Sequence, residues 1–265
     1  MPTATVNGTR ISYTDTGGGG TSVLLLHAFP LHAGMWQPQL DALGDRFRLI
    51  APDLKGFGGS DAPDDAAGYS MDGYADDVKG LLDELGIDKA VVTGLSMGGY
   101  IAFAFLRRHR DAIAALVLAD TRAEADPPEG KEKRTTQQVQ VREQGTAALI
   151  EGMAGALLSD VTRGRQPEVV ARAKELMDNP PAGFIGALEA MKNRPDSTGD
   201  LAGIAVPTLV IVGENDGVTP PEASRKMHEH VGGSRLVVLP GAGHLSNLES
   251  SEAFTNTVQG FLTEL

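Results

Sequence analysis

Val91-Val92-Thr93-Gly94-Leu95-Ser96-Met97-Gly98-Gly99-Tyr100 carries a Gly-x-Ser-x-Gly pattern at Gly94, Ser96 and Gly98. The apolar run Ala90-Val91-Val92 before it predicts a buried strand, and the small and apolar residues from Tyr100 to Leu106 predict a helix. Between the two the chain must reverse so tightly that the serine backbone is strained. Glycines at 94 and 98 leave room where a Cβ would meet the neighbouring strand or helix. The turn then holds a hydroxyl out at a strand tip, beside the free amides at the start of a helix. In that setting Ser96 is a candidate nucleophile. The competing reading is a glycine-rich turn whose serine caps the helix.

Working outward, other apolar runs alternate with helical patterns. Val23–Leu26, Arg48–Asp53, Ala114–Asp120, Thr208–Gly213 and Arg235–Leu239 read as strands. Asn7-Gly8 suits the turn of an opening hairpin. Met71, Tyr74, Ala75, Val78, Leu81, Leu82 and Leu85 recur at helical spacing, and Gly86 sits where that helix would stop. A helix is also expected from Trp36 to Leu43 and another from Ser250 to Leu262. Continuous apolar strands alternating with helices predict an α/β fold, with a mostly parallel sheet covered on both faces. Residues 122–200 contain no strand-like run. Helical patterns fall near Lys133–Met153, Pro167–Met177 and Pro181–Met191, so this segment reads as a helical insertion. The expected organisation is a core over 1–121, the insertion over 122–200 and the rest of the core over 201–265.

Composition narrows the function. The chain has 265 residues, 41% of them apolar, and a net charge of −12. An acidic surface opposes binding to nucleic acid or anionic membrane. There is no cysteine, which excludes thiolate catalysis, disulfides and thiolate metal sites. No apolar run approaches the roughly 20 residues of a membrane span, and residues 1–10 hold no signal-like apolar core. The expectation is a cytoplasmic protein acting on a small molecule without cofactor or metal, its oligomeric state open.

In parallel sheets the chemistry lies beyond the C-terminal strand ends. There the sequence places His27–Pro30, Asp53, Ser96, Asp120, Gly213–Asp216 and Gly241–His244. A serine hydroxyl needs a base, and the base needs a group that sets its tautomer. Of six histidines, His244 follows the last strand directly and is the candidate base. His228 and His230 read as solvated, His109 suits a helix C-terminus, His27 orders its loop, and His32 could line the pocket. Asp216 is the foremost orienting carboxylate, with Asp120 and Glu214 as alternatives. The N–H of Met97 and the N–H of Phe29 are the expected oxyanion donors. Phe29, Trp36, Met153, Leu157 and Phe184 are the candidate substrate contacts, against the reading that apolar residues at helical spacing pack internally. Asp53 and the glycine-rich loop to Asp61 read as structural.

The segments His27-Ala28-Phe29-Pro30, Asp53-Leu54-Lys55-Gly56-Phe57-Gly58-Gly59-Ser60, Gly94–Gly99, Gly213-Glu214-Asn215-Asp216 and Gly243-His244 together resemble the α/β-hydrolase superfamily. The resemblance covers nearly the whole chain and includes its serine–acid–histidine order. It implies an α/β-hydrolase fold in which residues 122–200 form a helical lid. Within the superfamily the chain resembles 3-oxoadipate enol-lactonase-like esterases and the cofactor-free haloperoxidases. That implies hydrolysis of a carboxylic ester or lactone, with perhydrolase activity as an alternative suggested by Pro30. A triad-retaining ligand receptor on the same scaffold is a further alternative. Ser96 stands where dehalogenases and epoxide hydrolases of this fold carry aspartate. Ala28 departs from the usual glycine before the oxyanion residue.

Overall fold

The computed structural model describes residues 1–265. Asn7 and Gly8, both at positive φ, turn β1 (Thr3–Val6) back antiparallel on β2 (Thr9–Asp15). β2 then pairs antiparallel with β4 (Arg48–Pro52). All remaining pairings are parallel, among β3 (Ser22–Leu26), β4, β5 (Ala90–Leu95), β6 (Ile113–Ala119), β7 (Thr208–Gly213) and β8 (Arg235–Leu239). The eight strands lie in the order β1-β2-β4-β3-β5-β6-β7-β8. The chain leaves β3 toward one edge to make β4 and returns to the other side to make β5. That reversal opens a crevice at the C-terminal ends of β3 and β5.

Alternation along the strands supplies both faces of the sheet. Leu24 and Leu26 join one apolar cluster, and Val23 and Leu25 join the other. The first cluster is covered by α2 (Met71–Glu84) and α3 (Met97–Arg108), the second by α1 (Gln37–Leu43) and the closing α11 (Ser251–Thr263). The Ser70 hydroxyl caps α2 by accepting from Gly73 N–H, and Gly86 leaves that helix at positive φ. α9 (Pro221–His230) lies between β7 and β8, and the short α10 (Ser246–Glu249) precedes α11.

β6 and β7 are joined by α4 (Pro128–Gln144), α5 (Ala147–Leu157), α6 (Asp160–Arg165), α7 (Pro167–Leu176) and α8 (Pro181–Lys192). The single helical pattern expected over Lys133–Met153 is two helices, because Gly145 ends α4 at φ 77°. α6 was not legible in the sequence, since six residues with a single apolar one, Val161, carry no periodicity. The closing helix matches its expected span, Ser250–Leu262, as α11, and the short α10 that precedes it was not foreseen. No helix is long and apolar enough to cross a membrane.

The serine turn depends on close backbone contact. A Cβ at Gly98 would overlap the Leu26 carbonyl oxygen of β3, and one at Gly94 would overlap the Gly98 carbonyl. Backbone on both sides cannot swing away as a side chain can. Gly98→Ala is therefore expected to cost about 3 kcal/mol of stability. A thermal melt within a degree of wild type would contradict the tight packing of α3 on β3.

Candidate active site

Ser96 sits between β5 and α3 at φ 56° and ψ −113°. Its hydroxyl makes no capping bond to the helix, so the capping role is unfilled. Instead, the Ser96 Oγ–H donates to His244 Nε2 at 2.8 Å. On the other side of the ring, Nδ1–H donates to Asp216 Oδ2 at 2.8 Å. A carboxylate only accepts, so Asp216 assigns the imidazole proton to Nδ1 and leaves Nε2 free to accept. All three side chains are buried: Ser96 is 8% exposed, Asp216 3% and His244 1%.

Asp216 is held by four donors. Val218 N–H and Thr219 N–H reach Oδ1 at 2.8 and 2.9 Å, and Thr219 Oγ1–H reaches Oδ2 at 2.7 Å beside the imidazole. Burial raises the carboxyl pKa, but the His244 charge and the His244 and Thr219 hydrogen bonds outweigh it, and the net shift is downward. Thr219 was not singled out from the sequence. The signal was present, since N–H groups two and three residues after an aspartate are placed for an Asx turn.

The two rival carboxylates are occupied elsewhere. Asp120 Oδ1 accepts Gly213 N–H at 2.8 Å, and Oδ2 is hydrogen-bonded to the Ser246 hydroxyl. It ties the ends of β6 and β7 to α10. Glu214 Oε2 accepts Gly241 N–H at 3.0 Å and orders the turn before His244. His244 itself is anchored from two sides. Its N–H donates to Leu157 C=O at 3.1 Å, and the Glu249 carboxylate accepts from Leu245 N–H and Ser159 N–H at 3.2 and 2.8 Å.

Phe29 follows β3, whose neighbour is β5, with Leu26 opposite Gly94. The sheet order thus brings Phe29 and Met97 to the same crevice. The Phe29 N–H meets no protein acceptor. Met97 is the first residue of α3, where the N–H has no partner within the helix. Ala28 adopts no positive φ, so the residue that replaces glycine there introduces no backbone strain. His27 orders the loop. Leu54 N–H donates to Nε2 at 3.0 Å and Nδ1 reaches Ala28 C=O at 3.0 Å, while burial pushes its pKa down to about 3. Asp53 accepts from Ala33 and Gly59 N–H groups and is likewise structural.

Ser96 and His244 open into a cavity of about 560 Å³. Phe29, Met153, Leu157 and Met191 supply its apolar wall. Trp36 and Phe184 do not reach it, contrary to expectation. Trp36 is fully buried against Phe254 in the core below the sheet. Phe184 is fully buried behind Phe29, with ring centres 5.5 Å apart. His32 also lies outside the cavity. It is half-buried, accepts Gly34 N–H at 3.2 Å and sits 3.7 Å from Asp53. His109 pairs with Asp76 at 2.8 Å, His228 with the Ser234 hydroxyl at 2.8 Å, and His230 is exposed. The polar wall, from Arg122, Asp126, Lys133, Arg134 and Gln137, was not foreseen. Its residues come from the loop after β6 and from α4, one continuous stretch whose placement over Ser96 only the folded chain decides. No group of three or more histidine or acidic side chains is arranged to hold a metal ion.

An imidazole fixed by a carboxylate, bonded to a serine hydroxyl beside free amides, is equipped to activate that hydroxyl toward a carbonyl carbon. Comparison with known proteins agrees with this arrangement. The family model for the alpha/beta hydrolase fold matches residues 21–251, and the chain belongs to that family. It is 30% identical to 3-oxoadipate enol-lactonase 1 of Acinetobacter baylyi over 88% of this chain and 85% of that protein. Among solved structures, a thermophilic esterase from Thermogutta terrifontis, described as malate-bound, is 40% identical. The two superpose with a TM-score of 0.95 over 99% of this chain and 98% of the esterase. The enol-lactonase from Burkholderia xenovorans LB400 is 34% identical, with a TM-score of 0.91 over 99% of this chain and all of that one.

Proposed function

We propose that the protein is a serine hydrolase that cleaves a carboxylic ester or lactone through an acyl-enzyme. The observation that carries this is the unbroken hydrogen-bonded line Ser96–His244–Asp216, 2.8 Å at each step, opening beside the unused Phe29 amide. Similarity to esterases and enol-lactonases supports the choice of substrate class. Ser96 Oγ attacks the carbonyl carbon as its proton passes to Nε2. Asp216 stabilises the imidazolium and stays ionised. The Phe29 and Met97 amides receive the oxyanion. The C–O bond to the leaving group breaks, and the alkoxide takes the proton from Nε2. Water then gives a proton to Nε2 and attacks the acyl carbon, and collapse releases the acid and restores the serine. Helices α4–α8 act as the lid over this cavity.

The polar wall supports a substrate that carries a carboxylate. Arg134 and Arg194 are already paired with Asp126. Arg122 is not: its hydrogen bond is to Val218 C=O at 2.6 Å, and its Nε is buried without a partner. A guanidinium left uncompensated in a cavity favours an anionic ligand. The malate-bound state of the Thermogutta esterase agrees with that chemistry.

The test is a panel of p-nitrophenyl esters together with a fluorophosphonate probe. Turnover that disappears when Ser96 is phosphonylated supports the hydrolase. Rapid labelling without turnover of any ester or lactone favours a receptor, and faster acyl transfer to hydrogen peroxide than to water favours a perhydrolase. For the anion, mono-p-nitrophenyl succinate is compared with p-nitrophenyl butyrate. Arg122→Gln is expected to raise KM for the succinate about tenfold or more and to leave the butyrate unchanged, the size expected for a hydrogen bond to a charged group. Equal effects on both esters would remove the carboxylate from the substrate description and leave the hydrolase assignment intact.

A further inference from the structure

Asn179 lies in the turn between α7 and α8, 6% exposed and remote in sequence from Ser96, Asp216 and His244. Its carboxamide is fully engaged. Nδ2–H groups donate to Leu176 C=O at 3.0 Å and to Pro30 C=O at 2.9 Å, while Oδ1 accepts Gly58 N–H at 2.7 Å. The partners determine its orientation, because a rotated amide would set its oxygen against two carbonyls.

The Pro30 carbonyl and the Leu31 N–H belong to one peptide unit. Leu31 N–H donates to Ala28 C=O at 2.9 Å and closes a four-residue turn, Ala28–Leu31. Phe29 is the second residue of that turn. The closing peptide unit is therefore held on its N–H side by Ala28 and on its C=O side by Asn179. The other bonds to the turn come from the sheet side: Ala28 C=O is met by His27 Nδ1 at 3.0 Å, and Ala28 N–H reaches Met35 Sδ at 3.2 Å. Asn179 is the polar side chain that reaches the turn from the helices joining β6 to β7. Through Gly58 it also joins the turn to the glycine-rich loop, where Gly59 N–H is held by Asp53 at 2.9 Å.

We propose that Asn179 is a positioning residue for the oxyanion hole. By holding the Pro30 carbonyl it aims the Phe29 N–H into the crevice beside Ser96. This rests on the ester or lactone hydrolase reading and adds that the α7–α8 turn is part of the catalytic frame. An amide donor of this kind acts most strongly on the tetrahedral oxyanion, so its misalignment appears in the chemical step and not in substrate binding. Removing a donor outright costs about 10²–10³-fold in kcat, and tilting one costs less.

Asn179→Ala is expected to lower kcat on p-nitrophenyl acetate by about 10–100-fold, with KM within about threefold of wild type. Phosphonylation of Ser96 by a fluorophosphonate, whose phosphoryl oxygen occupies the same hole, is expected to slow by the same factor. Asn179→Asp keeps the size of the side chain and the acceptor for Gly58, but sets a second oxygen against Pro30 C=O. It is expected to slow both reactions at least as much, and it decides the matter if the alanine variant does not fold. A merely structural role would lower the melting temperature and leave the labelling rate of the folded protein unchanged. Labelling at the wild-type rate in a folded Asn179 variant overturns the proposal, as does a loss confined to KM. Should wild type label but turn over no ester, the hydrolase reading fails while the labelling rates still judge Asn179. A wild type that does not label overturns both.

Discussion

Ser96→Ala is expected to lower kcat by roughly 10⁶-fold, the loss seen when the nucleophile of a serine triad is removed. The substitution deletes the atom that forms the acyl-enzyme and leaves the rest of the frame standing. The Ser96 hydroxyl caps nothing, so the start of α3 does not depend on it. The positive φ at 96 is set by the contact of α3 with β3, and alanine bears it as serine does. Folding is therefore expected to persist, with a melting temperature close to wild type. His244→Ala is expected to lose a similar factor, and the double variant little more, because the two groups act as one unit. The measurement is initial-rate kinetics on purified variants with p-nitrophenyl acetate. Residual turnover above about 1% of wild type in Ser96→Ala would mean that another group performs the attack.

Asp216→Asn is expected to lower kcat by about 10⁴-fold. Asparagine keeps an oxygen for the Val218 and Thr219 N–H groups but presents an NH₂ group to the imidazole and to the Thr219 hydroxyl. Nδ1 must then accept, so Nε2 carries the proton and no longer serves as a base toward Ser96. The same substitution at the rival carboxylates separates the three. Asp120→Asn and Glu214→Gln are expected to stay within about tenfold of wild type, since neither contacts the imidazole. A loss at 120 as deep as that at 216 would overturn the assignment of the acid.

The Asp120 variant has a signature in stability as well. Burial raises the Asp120 carboxyl well above the ordinary aspartate value of 3.8, and the Asp216 charge raises it further. The folded state then binds a proton that the unfolded chain has released. Stability from this group falls as pH rises from near 3.8 toward the raised value. Asp216 works in the opposite sense. Its depressed pKa contributes stability above the ordinary carboxylate range, which is lost as pH falls through the lowered value. Asp120→Asn removes the first slope only. Its melting temperature relative to wild type is expected to rise with pH above about 4, and a difference independent of pH would place Asp120 as an ordinary ionised carboxylate.

Much of this protein could be read from local pattern. Alternating apolar runs and helical spacings gave the α/β class, Asn7-Gly8 the opening hairpin, and Gly94, Ser96 and Gly98 the strand–turn–helix. Each of these signals spans fewer than about 18 residues, the range over which backbone periodicity and turn chemistry act. The helix break at Gly145 was missed because a break within a helical pattern changes few apolar positions.

What lay beyond the sequence was the choice among partners. Asp216, Asp120 and Glu214 all follow strands, and although the turn residues around Asp216 put it foremost, local pattern does not exclude the other two. Only the folded chain sends Asp120 to Gly213 and Ser246, and Glu214 to Gly241, leaving Asp216 for His244. The cavity wall is of the same kind: Trp36 and Phe184 are as apolar as Met153 and Leu157, yet they point into the core. The grip of Asn179 on Pro30 spans 149 residues. The sequence determined the elements and the types of residue at the strand ends, because these depend on neighbours along the chain. The tertiary structure decided which of those residues meet, because the order β4-β3-β5-β6-β7-β8 sets the distances between strand ends, and that order is a property of how the layers pack.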